Sequence, residues 1–312
     1  MREPSEIYTI DEDVARDLTL RAEAGQGPVL LHIVRGFVDA GSAGQVAARH
    51  LADRFESERL VTFDVDALLD YRSRRPTMVF DANTWSEYEE PYLAVDVVRD
   101  GEHVPFLLLH GTEPDVQWER YVAAVRQIVE RFRVPLSVGV HGVPMGVPHT
   151  RPLGVTAHAN RPELVADHES FFGRVQVPAS ASSLLEYRLG RWGHDAMGFA
   201  VHVPHYLAQS SYPQASLVAL QQVERATGLD LDPSALEPAA REATEEIERQ
   251  VAGSEEIAAV VRALEEQYDS FTRAIGRTNL LADQADIPTA DELGEEFERF
   301  LAQQQGGDGS PK

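Results

Sequence analysis

The 312-residue chain carries 28 Lys plus Arg against 51 Asp plus Glu, a formal net charge of −23, with 43% apolar residues and no cysteine. Disulfides, thiol nucleophiles and Cys-ligated zinc are thereby excluded; because Lys312 is the only lysine, so are Walker-A, Schiff-base and pyridoxal chemistry. The acidic balance argues against nucleic acid and anionic membrane as partners, and with neither a leader pattern nor an apolar run near the roughly 18 residues of a membrane span, a cytoplasmic location is expected.

After an N-terminal segment, 1–28, residues Val29–Phe37 read as a buried strand, and Ser42 stands where it can cap a helix to about Phe55. Leu60–Val65 reads as the next strand. Pro91–Arg99 and Val104–His110 flank Asp100-Gly101, a strong hairpin signal. Asp115–Phe132 has helical period, with Val116, Val122, Val125, Ile128 and Val129 as the expected buried face. Strands are expected at 136–141, 154–158, 173–177 and 198–203, and helices at 183–191 and 213–228. This alternation predicts an α/β fold with a mostly parallel central sheet covered on both faces.

The charge is uneven: residues 230–312 hold 7 basic and 20 acidic side chains. Asp232-Pro233 opens a helix to about 251, and Gly253-Ser254 breaks and recaps the chain. Ile257, Val261, Leu264, Tyr268, Phe271 and Ile275 then form one apolar stripe on a long helix. Thr289–Glu292 is a capping box starting a last helix with Phe297 on its apolar face, and 304–312 reads as a disordered tail. A stripe at heptad spacing must be buried against something, so Tyr268, Phe271 and Phe297 are candidate subunit or partner contacts. The expected organisation is a 29–231 α/β domain followed by a 232–303 acidic helical extension.

The turn Gly36–Gly44 joins a strand to a helix N-terminus, a place that attracts anions. Asp39, Gly41 and Ser42 are therefore candidate ligand-binding residues, although the glycine spacing is that of no nucleotide loop and Asp39 serves equally as a helix cap. Arg72, Arg74 and Arg75 form an anion-binding or interface cluster, with Asp64, Asp66 and Asp70 as alternative internal partners. Prolines 144, 148 and 152 stiffen the loop that presents His149 and Arg151, two further candidates alongside His205. His141, His149, His158, His194, His202 and His205 fall in one stretch of the chain, but no H-E-x-x-H or other zinc spacing accompanies them, so no metal is expected. Ser180, Ser182 and Ser183 lack a nucleophile elbow, and Ser183–Glu186 reads as a helix cap. No cofactor is expected.

Taken together, GFVDAGSAG from Gly36, DVDALLDYRSRRP from Asp64, HGTEPDVQWE from His110, VPHTRP from Val147 and HVPHY from His202 resemble the proteasome assembly chaperone superfamily of second-subunit type, in its actinobacterial branch. The resemblance spans roughly Val29–Leu231. It implies a three-layer α/β fold like that of nucleoside phosphorylases, homo-oligomeric assembly with a trimer favoured, and proteasome α-subunits as a partner class. The C-terminus, Gly306–Lys312, lacks the hydrophobic-Tyr-X tail of the family's chaperones, so docking by that route is not expected. The implied function is a protein-binding, chaperone-like module with a pocket at the strand ends. The alternatives are a phosphorylase- or hydrolase-type enzyme acting on a small anionic or nucleoside-like substrate, and a nucleotide-binding regulator.

Overall fold

Strand β2 (Leu30–Arg35) lies inside an eight-stranded sheet, and its side chains alternate between two cores. Leu31 and Ile33 enter one core, while Leu30 enters the other. The computed structural model describes residues 3–168 and 173–278. In it, β7 (Pro105–Thr112), β2, β8 (Ser137–Met145) and β10 (Ala196–Pro204) run parallel at the centre of the sheet. Every residue of β10 is buried, as a central strand covered on both faces requires.

Antiparallel strands extend the sheet on both sides. β6 (Leu93–Arg99) pairs with β7, β3 (Ser57–Phe63) with β6, β1 (Tyr8–Ile10) with β3, and β9 (Val155–Ala159) with β10. Asp100 closes the β6–β7 hairpin, its Oδ1 accepting the Glu102 and Val104 amides at 3.0 and 2.7 Å.

Helices α2 (Ala43–Arg54) and α6 (Pro213–Thr227) cover one face, and α1 (Glu12–Glu23), α4 (Trp118–Arg131) and α5 (Ala181–Arg191) the other, giving three layers. On α4, Val122, Val125, Ile128 and Val129 are buried, each contributing roughly 1.5–3 kcal/mol of hydrophobic stabilisation. Two further helices, α7 (Glu237–Ala252) and α8 (Glu255–Thr278), follow the sheet domain. A one-turn helix, α3 (Val65–Leu68), precedes a separate two-stranded hairpin, β4 (Met78–Asp81) with β5 (Thr84–Tyr88). Among the described residues, no helix is long and apolar enough to cross a membrane.

Several local expectations need correction. Val116 is 43% exposed because Gln117, at φ 58°, delays the helix until Trp118 and leaves Val116 outside its period. Residues 173–177 form no strand, and Val175 and Val177 stand exposed: alternating apolar residues do not pair unless a sheet edge is within reach. The cap of α5 is Ser180, in a reciprocal capping box with Ser183. Asp232, at φ 47°, leads into a 3-10 turn over Pro233–Leu236, and α7 begins only at Glu237. The expected helix after 289, Phe297 and the 304–312 tail lie outside the described residues.

Candidate functional site

The carboxyl ends of β2, β7 and β8 carry the loops singled out in the sequence. Beyond β2, Asp39 turns back into the fold: Oδ1 accepts the amides of Gly44 and Gly142 at 2.8 and 3.0 Å, and Oδ2 that of Gln45 at 3.0 Å. One carboxylate thus caps α2 and ties it to β8. Ser42, the expected cap, sits at φ 52° and makes no capping bond. Gly41 takes φ +67°, a left-handed conformation that glycine adopts without penalty. Burial pushes the Asp39 carboxyl above its usual range, against the opposing pull of the three amides.

Glu113 is the second buried carboxylate at these ends. It accepts the Phe37 amide at 3.0 Å and the Ala181 amide at 2.6 Å, joining the β2 loop to the start of α5. Arg74 reaches the same site, 2.9 Å from Asp115 and 3.6 Å from Glu113, and donates to the Arg35 carbonyl at 3.2 Å. Its partners are therefore Glu113 and Asp115, while Asp66 and Asp70 bond Tyr71 and the Arg72 amide. Arg72 and Arg75 are exposed.

The proline-stiffened loop grips α8. Arg151 bonds Asp269 and Glu265, the Thr150 hydroxyl donates to Glu265 at 2.5 Å, and the Tyr268 hydroxyl donates to the Pro152 carbonyl at 3.1 Å. His149 stands beside this clasp with Nδ1 2.7 Å from the Tyr206 hydroxyl, which also accepts the His149 amide at 2.9 Å. Burial lowers the His149 pKa. His205 is exposed and packs its ring edge-on against Tyr206.

A cavity of about 460 Å³ opens between α2 and the roots of the β4–β5 hairpin, beyond the ends of β2 and β7. Arg35, Arg49, Arg74 and Arg75 line it together with Tyr92 and His110. His110 is buried; its Nε2 lies 2.7 Å from Asp96, its Nδ1 3.3 Å from the Tyr92 hydroxyl, and Arg59 bonds the same Asp96. Burial pushes Asp96 up, but His110 and Arg59 outweigh it and hold the carboxyl below its usual range. Above the cavity the hairpin projects with Met78, Phe80, Trp85 and Tyr88 all exposed, and the Phe80 and Trp85 rings meet at 4.9 Å.

A profile of the PAC2 family matches residues 33–251, a stretch that runs from the end of β2 through the strand-end loops and the clasp loop. The chain belongs to the PAC2 family. Two similar solved structures are actinobacterial proteins of unknown function. Mycobacterium tuberculosis Rv2714 is 46% identical, with 86% of this chain and 92% of that one covered and a TM-score of 0.82. A Corynebacterium glutamicum protein is 42% identical, covering 78% and 91%, with a TM-score of 0.75. The M. tuberculosis proteasome-assembly chaperone homologue Rv2125 shares the fold at 24% identity, covering 75% and 99%, with a TM-score of 0.68. No curated protein matches.

In this PAC2 protein the sequence candidates fall into three separate places. Asp39, Gly41 and Ser42 form the α2 entry; His149, His205 and Arg151 gather at the α8 clasp with Tyr268; Arg74 and Arg75 line the cavity. Phe271 is 39% exposed on α8. The sequence reading missed Arg35, Arg49, Tyr92, Asp96 and His110 as site residues. Only His110, first residue of a motif already noted, carried a signal; Arg35, Tyr92 and Asp96 come together through strand pairing across β2, β6 and β7, and α2 brings Arg49. Among the described residues, no group of histidine and carboxylate side chains is arranged to hold a metal.

Proposed function

We propose that this PAC2 protein is a protein-binding, chaperone-like module that works as a homo-oligomer, a trimer favoured, with proteasome α-subunits as its partner class. The observation that carries the reading is the β4–β5 hairpin, whose Phe80 and Trp85 are 57% and 65% exposed. A two-stranded hairpin has little stability alone, and a clustered apolar surface held away from the body fits contact with another polypeptide. Its bulge between Val79 and Phe80 and its charged Asp81 and Glu87 blunt indiscriminate edge pairing. Family membership supports the chaperone-like class, and the fold shared with a proteasome-assembly chaperone homologue supports the choice of partner. Native mass spectrometry of the purified chain, alone and mixed with α-subunits of the same organism, tests both parts. A homo-oligomer together with a mixed species is expected; a monomer that forms no mixed species would overturn the reading.

A further inference from the structure

We infer that the cavity beyond β2 and β7 is a binding site for a small organic anion, one that presents a phosphate or carboxylate group beside an apolar body. β2 and β7 are adjacent parallel strands, yet β2 leads into α2 on one face of the sheet and β7 into α4 on the other. This divergence opens a crevice at the strands' carboxyl ends, the position where open α/β sheets place ligands. A volume of about 460 Å³ suits a metabolite-sized molecule.

The charge of the crevice opposes that of the chain. Four guanidinium groups meet three rim carboxylates, Asp53, Glu89 and Glu90, in a protein of net charge −23. Arg74 is committed to Asp115 and Glu113, while Arg35 has a 3.6 Å contact with the exposed Glu89 and a long 3.5 Å bond to the Thr112 hydroxyl. Arg49 and Arg75 make no side-chain hydrogen bond or ion pair among the described residues. Two exposed guanidinium forks thus remain available to a planar oxyanion. Opposite them, Leu69, Pro91 and the Tyr92 ring supply an apolar wall for the body of the ligand. The wall is fixed from behind, since His110 holds Tyr92 while Asp96 holds His110. The site stands apart from protein docking by the hairpin tip and survives the failure of that reading.

Isothermal titration of the full chain with pyrophosphate, citrate and adenosine monophosphate, at a constant ionic strength of about 0.15 M, tests the site. Saturable binding of at least one probe is expected, weakening at least tenfold in the double variant R49A/R75A, which removes both uncommitted guanidinium forks. Both arginines are exposed, so an unchanged melting temperature verifies that the variant is folded. Preference for citrate identifies the ligand group as a carboxylate; preference for either phosphate compound identifies a phosphate, and tighter binding of the monophosphate than of pyrophosphate assigns the apolar wall to the body. Absence of saturable heat from all three probes up to about 10 mM, or equal affinity in wild type and R49A/R75A, would overturn the proposal.

Discussion

Arg151 holds Asp269 through two parallel bonds, Nε to Oδ1 and Nη2 to Oδ2, both 2.8 Å long. This fork joins the loop after β8 to a helix more than a hundred residues later, and raises the arginine pKa while lowering that of the aspartate. Val261 and Leu264 of α8 are buried, whereas Ile257 is 44% exposed, so the polar clasp and a short apolar seam together hold the helix.

Arg151→Ala should loosen α8 without unfolding the sheet. Hydrogen exchange within α8 is expected to quicken, together with cleavage at Gly253-Ser254, while β2, β8 and β10 keep their protection. Equal acceleration throughout the chain would show that the clasp supports the whole domain.

Asp39→Ala leaves the amides of Gly44, Gln45 and Gly142 without their acceptor. A loss of about 2–4 kcal/mol in urea unfolding is expected, from a lost helix cap and buried donors left unpaired. A change below about 0.5 kcal/mol would mean that water replaces the carboxylate at all three amides.

Gly142→Ala acts at the same junction by steric means. A Cβ there would lie 2.0 Å from the Ala40 carbonyl oxygen, which belongs to the backbone and cannot swing aside. Soluble expression should fall sharply, and any recovered protein should melt well below wild type. Normal yield and melting would show that the Asp39 loop can shift as a unit.

Acid should destabilise the protein through histidines that remain neutral when folded. Burial lowers the pKa values of His32, His141 and His202 from 6.5 to about 4, with His158 adding to the effect at His32 and His141. The unfolded chain then binds more protons between these values, so this stability is present above pH 6.5 and is lost as pH falls toward 4. Each histidine contributes up to about 1.4 kcal/mol per pH unit in that window. Urea midpoints should decline from pH 7.5 to 5.5, and less steeply in His32→Leu, which removes a buried ring with no hydrogen-bond partner at either nitrogen. An identical slope in the variant would exclude His32 as a source.

Phe80→Ser with Trp85→Ser should abolish self-association while leaving the melting temperature of the dilute protein nearly unchanged, because both side chains are exposed in the single chain. Analytical ultracentrifugation reads the assembly state. An intact oligomer in the double variant would remove the hairpin from the contact.

Periodicity and turn chemistry determined most of the secondary structure from the sequence alone. The buried runs at Val29, Val104 and Gly198, the Asp100-Gly101 turn and the apolar stripes of α4 and α8 all reflect local forces, which leave a local pattern. Family membership was legible for a related reason, since the short motifs that carry it sit on the strand-end loops. Tertiary structure alone decided what those loops do. Asp39 could cap or bind, and the three amides that converge on it belong to α2 and β8, nearly a hundred residues apart. Arg151 meets its carboxylates only because α8 returns over the β8 loop. Likewise, the Arg59–Asp96–His110–Tyr92 chain and the cationic cavity depend on strand order, a long-range pairing that no residue spacing encodes.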